Sequence, residues 1–346
     1  MKKILRRIAS PIATTIVSIV SVTLLATSCV NNEEYSDTPT GNFEALWQMM
    51  DEHYCFFDYK KEQYGLDWNA VYQKYRVRID NNMNELQLFE VLCDMLQELR
   101  DGHVNLSSSM DFGRYWTFQE AYPKNFSDTL LRSYLGTDYR IASSLRYKVL
   151  DDGIVYIYCA SFENPIGEGN LDDVLSHLIL CRGLIIDIRN NGGGELTTAE
   201  KLAGRFVRER TLVGYMQHKT GTGHSDFSDL QERWLEPSSN VRWHKPVCVL
   251  TNRSVYSAAN QFAVIMRALP DVTIVGDHTG GGSGMPMTNV LPNGWSVRYS
   301  ACPIYDRHKQ HTEFGIAPDV SVSLTDAMRQ KDKDDIIEAA CKLLTK

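Results

Sequence analysis

The run Gly183-Leu-Ile-Ile-Asp-Ile188 constrains the fold more than any other feature of the sequence. A strand that is apolar along its whole length belongs to a sheet covered on both faces, as parallel sheets in α/β proteins are. The polar turn Arg189–Gly194 follows, and then a helical pattern from about residue 195 to 208. A second strand, turn and helix start of this kind occupies Val249–Phe262. The sequence therefore predicts an α/β core built from such units.

Both turns are candidates for chemistry. Consecutive glycines at 192–194 let backbone amides approach a ligand closely, which suits an oxyanion, although a tight turn that needs positive φ explains them too. The turn lacks the Gly-Lys-Ser/Thr ending of a phosphate loop. Ser257 lies where the second strand gives way to its helix, so its hydroxyl is either a nucleophile or a helix cap. This segment alone leaves both interpretations open.

The N-terminus has the pattern of an exported protein. Four basic residues precede an apolar run that ends in Thr27-Ser28-Cys29, which predicts a signal peptide over residues 1–28. A cysteine at that place is typical of bacterial lipoproteins, so we expect Cys29 to be lipidated, with residues 29–42 as a polar tether. Loss of residues 1–28 removes four positive charges and takes the formal net charge from −7 to −11. This acidic balance argues against nucleic acid as a partner.

The remaining chain divides into two predicted domains. Apolar residues at helical spacing predict a helical N-terminal domain over residues 43–104, which ends in the turn Asp101-Gly102-His103. Residues 105–346 form the predicted core domain, with hairpins through Gly153 and Gly294 and a final helix over 325–344. No cysteine pair has zinc-type spacing, so neither a metal nor a cofactor is predicted.

Four segments together resemble the tail-specific, or C-terminal-processing, family of serine peptidases. They are Leu-Arg-Asp-Gly-His103, the strand and glycine turn that end at Gly194, Thr-Asn-Arg-Ser-Val-Tyr-Ser257-Ala-Ala-Asn, and Gly315-Ile-Ala-Pro-Asp319. The resemblance implies a crotonase-like or Clp-protease-like core of β-β-α units and a peptide-cleaving activity. The interval from His103 to the strand at Tyr147 is too short for the PDZ domain that most members carry.

The resemblance also implies roles for individual residues. One branch of the family uses a lysine as base, but the matching loop Gly280–Gly284 contains none. The tricorn-core and interphotoreceptor-retinoid-binding-like branch uses a histidine, which His103 matches. Glu313 matches the carboxylate that orients this histidine, with Asp101 as the local alternative. By resemblance, the amides of Gly193 and Ala258 form the oxyanion hole.

Together these features predict a serine endopeptidase that cleaves exported or extracellular polypeptides and is held in the bacterial cell envelope by its lipid. Ser257 is the predicted nucleophile, His103 the base and Glu313 the orienting group. We also predict that the activity of the enzyme falls as the pH drops through about 6–7, where an unperturbed histidine becomes protonated. The alternative function is a peptide- or glycan-binding lipoprotein that has kept the fold without turnover. The sequence does not determine the oligomeric state.

Overall fold

The computed structural model describes residues 35–346, so the predicted signal peptide and Cys29 lie outside the described residues. The chain begins with a helical layer, in which α1 starts at Pro39, inside the stretch predicted as a tether. Thr38 caps this helix by accepting a hydrogen bond from Gly41 N at 3.1 Å, and proline suits the first helical position. The helices of the layer are α1 (Pro39–His53), α2 (Phe57–Tyr64), α3 (Trp68–Arg76) and α4 (Glu85–Gln97).

The remaining elements alternate between strands and helices. The first group is β1 (Asn105–Ser107), β2 (Phe112–Gly113), α5 (Thr117–Glu120), α6 (Asp128–Leu135), β3 (Arg140–Ala142), β4 (Leu145–Val149), β5 (Ile154–Cys159), α7 (Glu168–His177), β6 (Gly183–Asp187) and α8 (Leu196–Ala203). The second group is β7 (Thr211–Met216), β8 (Gln231–Leu235), β9 (Val247–Thr251), α9 (Ala258–Arg267), β10 (Val272–Gly276), β11 (Gly284–Val290), β12 (Ser296–Tyr305), β13 (Val320–Ser321), α10 (Asp326–Arg329) and α11 (Asp335–Leu344).

The central sheet has the strand order β13-β10-β9-β6-β5-β4-β3. Strands β5, β6, β9, β10 and β13 run parallel to one another, so β6 and β9 end at the same edge of the sheet. Alternate residues of β6 point to opposite faces: Leu184 and Ile186 pack in the core beneath α7, α8 and α9, whereas Ile185 packs with α6 and α11. The prediction that this strand is covered on both faces is confirmed.

A second sheet has the order β2-β1-β12-β7-β8, and β11 also pairs with β12. One face of β12 carries Val297 and Tyr299, which pack in the same core as Phe43 of α1 and Leu92 of α4. The N-terminal helices therefore share a hydrophobic core with strands from the far end of the chain. This shared core holds the segment after α4 against β12 of the second sheet.

Two local predictions have different outcomes. The predicted hairpins are confirmed, since β4 pairs antiparallel with β5 and β11 with β12, the latter turn containing Gly294 at φ 85°. The single helix predicted over 325–344 is wrong: it is interrupted after α10, and Asp334 caps the start of α11. Asp332, at φ 54°, is in the left-handed region and breaks the helical path, and Asp334 binds the buried Arg189 through an ion pair of 2.9 Å.

The predicted fold class, an α/β core with a small helical N-terminal part, is confirmed. Across residues 35–346, no helix is both long and apolar enough to cross a membrane.

Candidate active site

Ser257 lies at the turn between β9 and α9, with φ 54° and ψ −124°. A positive φ at a residue with a Cβ costs about 1–3 kcal/mol, so the surrounding structure must hold it. The Ser257 amide donates to Gly281 O at 2.8 Å, and the amide of Tyr256 donates to Asn191 O at 3.1 Å. Ser257 occupies the N-cap position of α9, yet among the described residues its hydroxyl accepts no hydrogen bond from an amide of that helix. The hydroxyl faces the cleft instead.

The hydroxyl of Ser257 lies 3.0 Å from Nε2 of His103, within hydrogen-bond distance. His103 is buried and packs edge-on against the ring of Tyr256, with the ring centroids 4.9 Å apart. Its other ring nitrogen, Nδ1, is buried and has no hydrogen-bond partner among the described residues. The two predicted residues are therefore brought together in the geometry of a nucleophile and its base.

Asp101 is the carboxylate that holds the His103 segment. Its Oδ1 accepts a hydrogen bond of 2.8 Å from the backbone amide of His103, and its Oδ2 accepts hydrogen bonds from Tyr54 at 2.9 Å and Ser300 at 2.8 Å. The hydroxyl of Tyr256 lies 3.4 Å from Oδ1. Asp101 thus ties the turn after α4 to α1, to β12 and to the Ser257 turn.

Glu313 lies in the same buried region and bonds to Lys60 rather than to His103. Lys60 Nζ is 3.2 Å from Glu313 Oε1 and 3.9 Å from Asp101 Oδ2, and it also donates to Leu99 O at 2.6 Å. Glu313 Oε2 accepts a hydrogen bond from Ser283 N at 3.0 Å. The path from Glu313 to the histidine therefore runs through Lys60 and Asp101.

The two carboxylates beside Lys60 have pKa values that are shifted in opposite directions. Burial and the charge of Asp101 raise the pKa of Glu313 to about 8, against the opposing effect of Lys60. Burial also acts to raise the pKa of Asp101, but Lys60, His103 and the hydrogen-bond donors around it hold that pKa below its ordinary value. Asp101, with more donors than Glu313, therefore carries the negative charge near neutral pH.

Burial lowers the pKa of His103 to about 4, and the nearby Asp101 charge only partly offsets this effect. The charges of Arg298 and Lys60 lower the pKa of His103 further. The imidazole is thus neutral at neutral pH, which is the form that accepts a proton from a serine hydroxyl.

The glycine turn after β6 lies directly against Ser257. A Cβ on Gly193, where φ is 107°, would lie 2.8 Å from Ser257 Cβ and 3.0 Å from Ala258 N. Only glycine allows the turn to approach this closely. The Gly193 amide donates to Asn191 Oδ1 at 2.9 Å, and Gly192 and Gly194 line the cleft.

The loop that lacks a lysine has a packing role. Gly281 and Gly282 adopt φ values of 92° and 79°, and a Cβ on Gly282 would lie 2.4 Å from the ring of Tyr256. The amide of Gly282 donates to Glu313 O at 2.8 Å. The loop therefore supports the Ser257 turn and the Glu313 segment from behind.

The cleft in front of Ser257 has a volume of about 450 Å³. Its walls include four aromatic side chains together with polar and charged ones. It is lined by Gly102, His103, Asn105, Phe112, Trp116, Phe118, Gln119, Glu163, Gly192, Gly194, Ser254, Tyr256, Ser257 and Arg298. No group of three or more His, Cys, Asp or Glu side chains in residues 35–346 is arranged to hold a metal ion.

Sequence reasoning missed Lys60, Tyr54, Ser300 and Arg298. Lys60 belongs to a polar helical segment in which a lysine is unremarkable, and only its complete burial distinguishes it. Ser300 and Arg298 lie two residues apart on β12, on the face opposite Val297 and Tyr299, and the alternation of the strand does not indicate their partners. Asp101 was recognised only as the local alternative to Glu313.

Two family models match the chain. The model of peptidase family S41 matches residues 153–322, and that of the tricorn protease C1 domain matches residues 35–97. The crystal structure of a candidate peptidase from Parabacteroides merdae ATCC 43184 has a TM-score of 0.85 at 51% identity, covering 89% of this chain and 97% of that one.

More distant proteins share the fold. Mature CPAF has a TM-score of 0.67 at 12% identity, covering 89% of this chain and 96% of that one, and this likeness concerns the fold alone. A protein named "Probable CtpA-like serine protease" from Staphylococcus haemolyticus (strain JCSC1435) is 26% identical over 182 residues. The match covers 52% of this chain but 35% of that relative, so the chain spans about a third of its length.

Proposed function

The chain belongs to peptidase family S41, a family of serine peptidases, and on that premise we propose that it cleaves polypeptides by nucleophilic attack of Ser257. The observation that carries this proposal is the 3.0 Å separation of Ser257 Oγ and His103 Nε2 at the wall of the cleft. A serine hydroxyl needs a base to remove its proton, and the neutral His103 is the base within reach.

In the proposed first step, His103 takes the hydroxyl proton as Ser257 Oγ attacks the scissile carbonyl. The imidazolium that forms is stabilised by the negative charge of Asp101, which lies two residues away and bonds to the His103 amide. Glu313 supports this arrangement from behind through Lys60, which holds the carbonyl of Leu99 as well. His103 then donates its proton to the leaving amine, and water hydrolyses the acyl-enzyme by the reverse sequence.

The oxyanion formed during the attack needs donors near Ser257. We assign this role to the amide of Ala258, at the start of α9, and to the amide of Gly193. The Gly193 amide donates to Asn191 Oδ1 in the free enzyme. To bind the oxyanion, it must either donate to both acceptors or leave Asn191 Oδ1. Each donor of this kind is typically worth about 3 kcal/mol of barrier lowering.

The proposal extends to the place where the enzyme works. The signal-peptide pattern and Cys29 support export and a lipid anchor in the cell envelope, with exported or extracellular polypeptides as substrates. Expression with an alkyne-bearing fatty acid tests this: the full-length chain should be labelled and the Cys29→Ser variant should not.

The test of the catalytic proposal is covalent labelling by a fluorophosphonate probe, followed by mass spectrometry of the labelled peptide. The wild-type enzyme should be labelled at Ser257, and Ser257→Ala should not be labelled. Ser254→Ala is the matched control, because Ser254 lines the same cleft three residues earlier, and it should still be labelled at Ser257. Labelling that persists in Ser257→Ala contradicts the assignment. If the wild-type protein does not react with the probe and binds peptides without hydrolysing them, the peptide-binding lipoprotein would be favoured instead.

A further inference from the structure

Arg298 is a half-buried cation in the cleft whose charge has no carboxylate partner. Within residues 35–346, its guanidinium has a single hydrogen bond, a long one of 3.5 Å from Nη1 to Asn105 Oδ1, and no ion pair. Other inner arginines are paired: Arg189 binds Asp187 and Asp334, and Arg205 binds Glu168 and Asp172. An arginine fork that is half-buried and has no ion pair is suited to a ligand carboxylate.

The position of Arg298 relates it to the reacting atoms. Arg298 of β12 is directly opposite Asn105 of β1, and Asn105 follows His103 by two residues. All three residues line the cleft, where Arg298 is the only arginine or lysine among the lining residues that the structure describes. Its charge acts on His103, whose pKa is lowered by burial and to a smaller extent by Arg298. The positive end of the cleft is therefore the His103 end.

The side of the cleft beside the glycine turn carries the reverse charge. Glu163 is an exposed lining residue, and its backbone packs so closely on the glycine turn that a Cβ on Gly194 would lie 2.2 Å from Glu163 N. The acyl half of a substrate binds beside the glycine turn, because its carbonyl oxygen must reach the oxyanion donors. The leaving amine must reach His103 to receive a proton. The residues after the scissile bond therefore extend towards Arg298.

We propose that Arg298, with Asn105, forms a subsite for a carboxylate of the substrate on the leaving-group side of the scissile bond. The carboxylate belongs either to an acidic side chain or to the free end of the chain. The two sources present the same planar acceptor to the guanidinium. This subsite rests on the proposed function, because it deepens the recognition of a polypeptide that Ser257 cleaves.

Three peptides test the subsite and separate the two sources. A sequence cleaved by the wild-type enzyme is first identified from a peptide library by mass spectrometry. Three versions of this sequence are then made, which differ in the residue after the scissile bond and in the C-terminus. The first has Glu at that position and an amidated C-terminus, and the second has Gln there and an amidated C-terminus. The third has Gln there and a free C-terminal carboxylate two or three residues after the bond. We expect kcat/KM to be about 10- to 100-fold higher for at least one carboxylate-bearing peptide than for the neutral one. The carboxylate-bearing peptide with the higher kcat/KM shows whether the subsite binds an acidic side chain or a free C-terminus.

Variants of Arg298 provide the second readout. In Arg298→Gln the ratio of kcat/KM values between carboxylate-bearing and neutral peptides should fall towards one. In Arg298→Glu, a peptide with Lys at the selected position should be cleaved better than one with Glu. Arg298→Lys keeps the charge without the fork and should keep part of the preference.

Equal kcat/KM values for the three peptides with wild-type enzyme would overturn the subsite, as would an unchanged preference in Arg298→Gln. The wild-type comparison does not depend on the folding of any variant. Fluorophosphonate labelling of Ser257 in the same preparation distinguishes the two proposals. A labelled enzyme without carboxylate preference refutes the subsite alone, whereas an enzyme that is neither labelled nor active refutes the function and the subsite together.

Discussion

Lys60 Nζ lies 3.2 Å from Glu313 Oε1, and this buried contact joins α2 to a loop that follows it by 253 residues. Lys60 also approaches Asp101, the residue that holds the His103 segment. The ammonium is thus surrounded by groups from the N-terminal helical layer and from the peptidase core. Because His103 comes from the first part and Ser257 from the second, the same contact helps to assemble the active site.

Removing the Lys60 charge should destabilise the fold in a pH-dependent way. Lys60→Met leaves Asp101 and Glu313 without their cation, a change that typically costs about 3–5 kcal/mol at a buried pair. The folded-state pKa of Glu313, about 8, lies above its ordinary value of 4.5, so its stabilising contribution is fully present below 4.5 and is lost as the pH rises through 8. Without Lys60 that pKa rises further, so urea unfolding should show a larger loss at pH 9 than at pH 7.

Glu313→Gln in the Lys60→Met background is the matched control, since it removes the titrating group. The double variant should lack the extra loss at pH 9. A Lys60→Met enzyme as stable as the wild type at both pH values would show that the ion cluster is not part of what holds the two regions together.

The two carboxylates should differ in their effect on catalysis. Asp101→Asn removes the negative charge nearest His103, and we expect kcat to fall by about 10²- to 10⁴-fold. Glu313→Gln should lower kcat by less than about 10-fold at pH 7, because a pKa of about 8 leaves Glu313 largely protonated there. Both kcat values are measured on the same peptide, with circular dichroism to verify folding. A larger loss in Glu313→Gln would make Glu313 the orienting group.

The parts of this site that follow from local pattern could be predicted, and those that depend on distant packing could not. Strands β6 and β9 are fully buried apolar runs followed by turn residues, so the sequence located both turns and the Ser257 position. His103 was found because the loop at Gly280–Gly284 lacks a lysine. The burial of Lys60 is decided by Glu313 and Leu99, which a helical pattern cannot reveal.

The pH profile should distinguish the buried histidine from an ordinary one. His103 must be neutral to accept the Ser257 proton, and burial lowers its pKa to about 4. The value of kcat/KM should therefore stay level as the pH falls through 6–7 and decline only near pH 4, for a substrate without groups that titrate in this range. A decline centred at 6–7, as expected for an unperturbed histidine, would contradict the burial of His103 in the free enzyme.

The same shift has a consequence for stability. The folded-state pKa of His103 lies below its ordinary value of 6.5, so its stabilising contribution is present above 6.5 and is lost as the pH falls through 4. The free energy of unfolding of the wild type should fall more steeply over this interval than that of His103→Gln, which does not titrate. Parallel curves for the two proteins would count against the shift.

Gly193→Ala should impair catalysis more than a substitution next to it. A Cβ at Gly193 would collide with Ser257 Cβ at 2.8 Å, and the φ of 107° is unfavourable for alanine, so the glycine turn must move away from the nucleophile. Loss of one oxyanion donor typically lowers kcat by about 10²- to 10³-fold, and we expect a loss of this size.

Gly192→Ala is the matched control, since a Cβ there meets nothing within 4 Å. Its kcat, measured with the same peptide, should exceed that of Gly193→Ala by at least about 10-fold. Equal losses in the two variants would mean that Gly193 has no special place beside Ser257, and a Gly193→Ala enzyme with wild-type kcat would remove its amide from the oxyanion hole.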